Sequence, residues 1–237
     1  MAARRRIGTA LIVIGLLLLA YAAAVLFWRD PITDLYARYQ QHKLADELET
    51  AWPDYQTGLG ASFSGDEEAR RKALQAQIAR AARDYESRLG DSKPMGRIVI
   101  PRLDLRLVFV QGTSWGRDLS KGPGHYERTS VPGLGKVTAI AGHRTTFGAP
   151  FRHIDRLDPG DEVTLELPYG TFLYRVFQHR VVDSDDWSII RERGFDTLVL
   201  SACHPLYSAS QRWVVFARLA EVTPSTGEPY VLAAAGG

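Results

Sequence analysis

From Ile7 to Trp28 the chain runs for twenty-two residues without a charged side chain, and no other feature restricts its architecture as strongly. A helix of that length, at about 1.5 Å per residue, crosses a hydrocarbon core of about 30 Å. The run therefore predicts a single-pass membrane helix. Arg4, Arg5 and Arg6 precede it, and Arg29 with Asp30 closes it. Basic residues favour the cytoplasmic side, so the N-terminus is expected inside and the rest of the chain outside. Tyr21, Phe27 and Trp28 would put aromatic rings near the far interface. The small residues of "AYAAA" would also suit signal cleavage, but the run is longer than the roughly 7–15 residues of a signal core, which favours an uncleaved anchor.

Two helical patterns follow. Asp30 can cap a helix through Trp52 with Pro31 at its first position. Ile32, Leu35, Tyr36 and Tyr39, then Leu44 and Leu48, recur on it at helical spacing. "WPDYQTGLGASFSG" breaks the pattern. Ser64 or Asp66 can then start a second helix to about Leu89, with Leu74, Ile78, Ala81, Tyr85 and Leu89 as its apolar stripe. The pair reads as a stalk packed on the globular part; a partner-binding helix pair is the alternative.

Beyond "GDSKP" the pattern changes to short apolar runs punctuated by Gly and Pro. "GRIVIPRLDLRLVFVQG", "GKVTAIAGHRT", "DPGDEVTLELPYGTFLYRVFQHRVVD", "TLVLSAC" and "RWVVFARL" read as strands with little helix between them, which predicts a mostly β fold, an antiparallel sandwich or barrel. The divisions expected are 1–29 for the cytoplasmic tip and anchor, 30–93 for the helical stalk, 94–222 for the β domain and 223–237 for a C-terminal tail. The net charge of +2 gives no reason to expect a nucleic-acid partner.

Cys203 is the only cysteine, so no internal disulfide can form, and a lone thiol outside the cytoplasm is either buried or kept for its chemistry. It ends an apolar run and Pro205 stops the strand pairing. Arg212 begins the next strand nine residues on. If the two strands are antiparallel neighbours, cation and thiol share one end of the sheet. A nucleophilic thiol also needs a base. Of the six histidines, His143 is the best placed, just past the strand of "VTAIAGH" and facing a loop. His204 adjoins Cys203, but neighbours on a strand point to opposite faces. His125 remains open. No metal-ligand spacing accompanies the cysteine.

"AIAGHRTT", "TLVLSACHP" and "SASQRWVVFARL" together resemble the sortases, membrane-anchored cysteine transpeptidases of Gram-positive surfaces. "GRIVIPRLDL" and "GPGHY" are similar to the family's opening strands and to the segment before its histidine. The resemblance covers about Met95 to Leu219, and "GHRTTFGAPF" with "CHP" and "SASQR" looks most like class E of high-GC actinobacteria. It implies a closed or nearly closed barrel of about eight strands. It implies Cys203 as nucleophile, His143 as the acid/base group that protonates the leaving amine, and Arg212 as the residue that positions substrate and stabilises the oxyanion. Tyr126 of "GPGHY" would help choose the sorting signal, and Ala202 and His204, flanking the thiol, would contact substrate.

The implied reaction cleaves a C-terminal signal of surface proteins, Leu-Ala-x-Thr-Gly or Leu-Pro-x-Thr-Gly, between Thr and Gly. It passes through a thioacyl intermediate to an amine of a peptidoglycan precursor, without cofactor or metal. One stretch departs from the family: Val199 to Cys203 reads Val-Leu-Ser-Ala-Cys where Thr-Leu-x-Thr-Cys is usual. No Asp-Pro-aromatic lid motif precedes the barrel, so an open site is expected. The rival readings are another extracytoplasmic cysteine enzyme, such as an L,D-transpeptidase, and a non-catalytic β domain on a membrane stalk.

Overall fold

The computed structural model describes residues 2–27, 30–55, 66–225 and 230–231. Trp28, the Gly- and Ser-containing break over 56–65 with Ser64, and most of the tail lie outside the described residues.

Helix α1 spans Ala2–Phe27. Its segment Arg4–Val25 contains an apolar window with a mean hydropathy of 2.4, none of it buried, so the helix is long and apolar enough to cross a bilayer. Helix α2 spans Pro31–Ala51, and the Asp30 carboxylate caps it by accepting the N–H groups of Ile32 and Thr33. Helix α3 spans Glu67–Ser87, and Asp66 is its cap through the Ala69 N–H at 2.8 Å.

The β part has nine strands: β1 Pro94–Ile100, β2 Leu105–Gln111, β3 Gly124–His125, β4 Val137–Ala141, β5 Glu162–Leu167, β6 Gly170–Asp183, β7 Thr197–His204, β8 Gln211–Pro224 and β9 Tyr230–Val231. Their order is β6-β5-β1-β2-β3-β4-β7-β8-β9, and β6 also pairs with β8. That last pairing closes β1 to β8 into an eight-stranded barrel and removes the sheet edges. Two pairings, β2–β3 and β4–β7, are parallel, which corrects the all-antiparallel expectation. Long excursions separate these strands in sequence, and a parallel neighbour needs such a crossover. The chain past residue 222 is not a free tail throughout. Strand β8 runs on to Pro224, and Tyr230–Val231 pairs with Val222 and Glu221.

Alternation along the strands fills the barrel. Leu198, Leu200 and Ala202 of β7 point inward and join Ile98, Phe109, Ile140, Phe172 and Val215 in the main core. Val199 points outward, into a second apolar cluster with Val137, Ala139, Val182, Ile189, Val214 and Phe216. Helix α3 packs at the end of the barrel where β4 and β7 begin, with Ile78, Ala82 and Tyr85 in the core and Ile78 against Gly133. The stalk therefore lies on the domain. Helix α2 runs along β2, where Leu44 and Leu48 meet Val108 and Val110. The Gln41 amide completes the edge of β2 by accepting the Val108 N–H at 2.8 Å and donating to the carbonyls of Val108 and Lys121.

Candidate active site

Strand β7 is the centre of the site. Parallel β4 flanks it with Ala141 opposite Ser201, and antiparallel β8 flanks it with Arg212 opposite Cys203. The β4 register continues one step, because the Gly142 N–H donates to the Ser201 carbonyl at 3.0 Å. His143 therefore follows at the level of Cys203. Cys203 and Arg212 sit on adjacent strands, and His143 sits just past the end of the next one, at the barrel end away from α3. Directly opposed residues of an antiparallel pair share a face, with Cβ atoms about 4.5–5.5 Å apart. Thiol and guanidinium thus occupy the same side of the sheet, and the thiol is partly exposed and free.

The loop after β4 runs too close to the Phe151 ring to carry a side chain at position 142. A Cβ on Gly142 would meet the Phe151 ring at 2.5 Å. The Phe151 N–H returns to the His143 carbonyl at 2.9 Å. Phe147 adopts φ 50°, a left-handed conformation that a bulky residue rarely takes. Its N–H donates to the Thr33 hydroxyl of α2 at 3.0 Å. Its ring lies 5.4 Å from that of His143, 5.7 Å from Trp115 and 6.2 Å from Tyr36.

A family model described as "Sortase domain" matches residues 98–220, more than half of the chain and all three of these positions. The chain belongs to the sortase family. It is 31% identical to sortase D of Bacillus subtilis over 63% of this chain and 78% of that one. It is 26% identical to sortase SrtE1 of Streptomyces coelicolor over 97% of this chain, and spans 61% of that longer relative. The solved structure of sortase E1 from Streptomyces coelicolor with a tripeptide in the active site is similar with a TM-score of 0.55 and 27% identity, over 60% of this chain and 97% of that one. The sortase fold is that of a family of transpeptidases.

In this sortase His143 is enclosed, with 8% of its surface exposed, and its Nε2 has no hydrogen-bond partner among the described residues. Burial disfavours the imidazolium and lowers its pKa from 6.5 to about 4. The ring is accordingly neutral near pH 7. Arg212 uses Nη1 to hold the loop after β7, donating to the carbonyls of Ala209 and Gln211, each at 2.9 Å. Among the described residues no carboxylate pairs with it, so its charge is not cancelled locally.

Tyr126 stands on the outer face beside β7. Its hydroxyl is 2.8 Å from that of Ser201, and its ring meets Trp187 edge-on at 6.5 Å. Trp187 belongs to the short turn Trp187–Ile190 between β6 and β7. The other two expected contact residues face elsewhere. Ala202 is 3% exposed and belongs to the main core, because alternation turns it inward from Cys203. His204 lies on that same side, with its ring 5.5 Å from Trp213 and its Nδ1 near Arg144. The side chains of Ala202 and His204 therefore face away from the side of β7 that carries Cys203 and Ser201.

Two other histidines, His125 and His179, are engaged away from the thiol. His125 is enclosed, with Nδ1 on Gln111 at 2.8 Å and Nε2 on the Ser130 carbonyl at 3.2 Å. His179 hydrogen-bonds the Leu157 carbonyl and stacks on Trp213.

Sequence reasoning missed three participants. Arg144 is buried, pairs with Asp155 at 3.0 Å and reaches the Cys203 carbonyl at 3.5 Å, so it ties the loop that carries His143 to the end of β7 that carries Cys203. Its signal was its place beside His143 in "GHR". Phe147 and Thr33, 114 residues apart in sequence, had no local signal that they meet. Among the described residues no group of three or more His, Cys, Asp or Glu side chains could hold a metal ion.

Proposed function

We propose that this sortase cleaves the C-terminal sorting signal of surface proteins between Thr and Gly and joins the new carboxyl end to an amine of a peptidoglycan precursor. One observation carries the reading: Cys203 and Arg212 are opposed on β7 and β8, and His143 follows two residues past the end of neighbouring β4 at the same end of the barrel. Neutral His143 accepts the Cys203 proton as sulfur attacks the threonine carbonyl. Arg212 faces the charge that develops on the carbonyl oxygen, where a positioned cation has most effect. The imidazolium then protonates the leaving glycine nitrogen, and a thioester remains. An incoming amine attacks that thioester and loses its proton to His143. The thiolate leaves and recovers a proton, so the enzyme returns to its starting state. Helix α1 anchors the enzyme, with Arg4 to Arg6 on the cytoplasmic side and the barrel outside.

The test is a panel of fluorogenic peptides that varies the signal, run on the full chain with wild type and Cys203→Ala, with intact-mass detection of the thioacyl adduct. The expected result is cleavage and an adduct for wild type only. Cleavage by Cys203→Ala, or no adduct with any cleaved peptide, would overturn the reading.

A further inference from the structure

Helix α2 carries two apolar faces and the barrel uses only one. Ala37, Leu44 and Leu48 are buried, and with Thr33 and Gln41 they mark the face turned to the domain. Ile32, Leu35, Tyr36 and Tyr39 recur at intervals of three and four and form a second stripe on the other side. Their exposures are 67%, 71%, 43% and 66%. On that same side the pattern turns polar after Tyr39, with Lys43, Asp46 and Thr50 all exposed. An apolar stripe confined to the first two turns is not what a solvated stalk requires.

Two hydrogen bonds fix where this stripe lies. The Tyr21 hydroxyl of α1 donates to the Asp30 carboxylate at 3.0 Å. Helical side chains lean toward the N-terminus, so Tyr21 does not reach forward to make this bond. The start of α2 therefore lies alongside the last turns of α1 instead of beyond its end. The Tyr207 hydroxyl, in the loop after Cys203, donates to the Val25 carbonyl at 3.2 Å. The loop that follows the thiol is thus held at the same level, with Leu206 and Tyr207 exposed beside it.

We infer that the stripe Ile32–Leu35–Tyr36–Tyr39 is seated in the outer bilayer interface as a continuation of the anchor, and that it holds the catalytic end of the barrel at the membrane surface. The inference rests on α1 being the anchor. The occupant of the stripe is lipid, because the stripe continues directly from the apolar helix and mixes aliphatic side chains with tyrosines, the composition suited to the headgroup boundary. Lys43 follows where a cation meets headgroup phosphates. A cleft at this height meets a substrate segment as it leaves the bilayer.

The test uses the full chain in phosphatidylcholine–phosphatidylglycerol vesicles, with Cys203→Ser as background and a nitroxide label at one new cysteine. Leu17→Cys reports the anchor, Leu35→Cys and Tyr39→Cys the stripe, and Asp46→Cys the polar continuation. At positions 17, 35 and 39 collisions with oxygen should exceed those with a water-soluble nickel chelate, and at 46 the order should reverse. Labels at 35 and 39 that behave like 46 while 17 stays lipid-exposed overturn the inference and leave the anchor intact. A nickel-accessible label at 17 overturns the anchor reading itself. Dipolar broadening at 35 and 39 that disappears on dilution with unlabelled protein assigns the stripe to a second copy and also overturns the inference.

Discussion

The hydroxyl of Tyr126 lies 2.8 Å from the hydroxyl of Ser201, two residues before Cys203 on the same face of β7. A phenol can donate one hydrogen bond and still accept another. Tyr126 held by Ser201 can therefore accept a backbone N–H from a bound peptide. Alanine supplies that N–H and proline does not. A buried group left unpaired costs about 1–3 kcal/mol, or roughly a tenfold to hundredfold preference in kcat/KM for Leu-Ala-x-Thr-Gly over Leu-Pro-x-Thr-Gly. Tyr126→Phe should narrow the gap by slowing the alanine peptide alone, and Ser201→Ala should narrow it less. Equal turnover of both peptides by wild type would remove Tyr126 from signal choice.

Arg212 of β8 faces Cys203 of β7 with one nitrogen already committed to the Ala209 and Gln211 carbonyls. A guanidinium can keep those bonds and still present other N–H groups to an oxyanion, whereas an ammonium has a single centre. Arg212→Lys should lower kcat by about 10²–10³ with a much smaller change in KM, the signature of a contact made mainly in the transition state. Wild-type kcat in this variant would leave the arginine a structural role only.

Much of this arrangement is legible locally. The charge-free run, the caps at Asp30 and Asp66, the strand segments and the spacing from Cys203 to Arg212 all lie within single windows of sequence, where periodicity and capping chemistry decide the outcome. The parallel β4–β7 pairing does not, because it joins residues about sixty positions apart and depends on how the barrel closes. Periodicity also groups Ile32, Leu35, Tyr36 and Tyr39 with Leu44 and Leu48. The structure separates them, because which apolar face meets the barrel is decided by tertiary packing against Val108 and Val110. The inward turn of Ala202 follows from strand alternation and was readable beside Cys203.

Stability against acid should follow three buried groups. Burial lowers His125 and His143 from 6.5 to about 4, and it raises Asp196 from 3.8 to about 6. For each histidine the unfolded chain binds more protons between about pH 4 and 6.5, so its contribution is full above 6.5 and is lost as the pH falls toward 4. Asp196 has the opposite sign, because the folded chain holds its proton more tightly between about pH 4 and 6. The net uptake on unfolding is about one proton in this window, so stability should fall with acidification. His125→Gln should flatten the dependence and Asp196→Asn should steepen it. Urea midpoints of the detergent-solubilised full chain between pH 7 and 4.5, followed by tryptophan fluorescence, read this directly. A dependence unchanged in both variants would show that these groups do not set it.

Phe147 links α2 to the chemistry. Its ring packs on His143, and its strained backbone is held by the Thr33 hydroxyl. The low pKa of His143 comes from desolvation, so removing the cover should restore it. In a Cys203→Ala background, nuclear magnetic resonance titration of labelled histidine should place His143 near 4, with His143→Gln assigning the signal. Phe147→Ala should move that titration up toward the ordinary 6.5, and Thr33→Val, which keeps the shape but removes the acceptor, should move it part of the way. The active enzyme then gives a second reading. In the proposed mechanism the neutral ring takes the Cys203 proton, so the acid limb of the pH–rate profile should rise in the same order, Phe147→Ala above Thr33→Val above wild type. A His143 titration that stays put in Phe147→Ala would mean that Trp115 and the barrel alone keep water from the imidazole, and α2 would have no part in setting its charge.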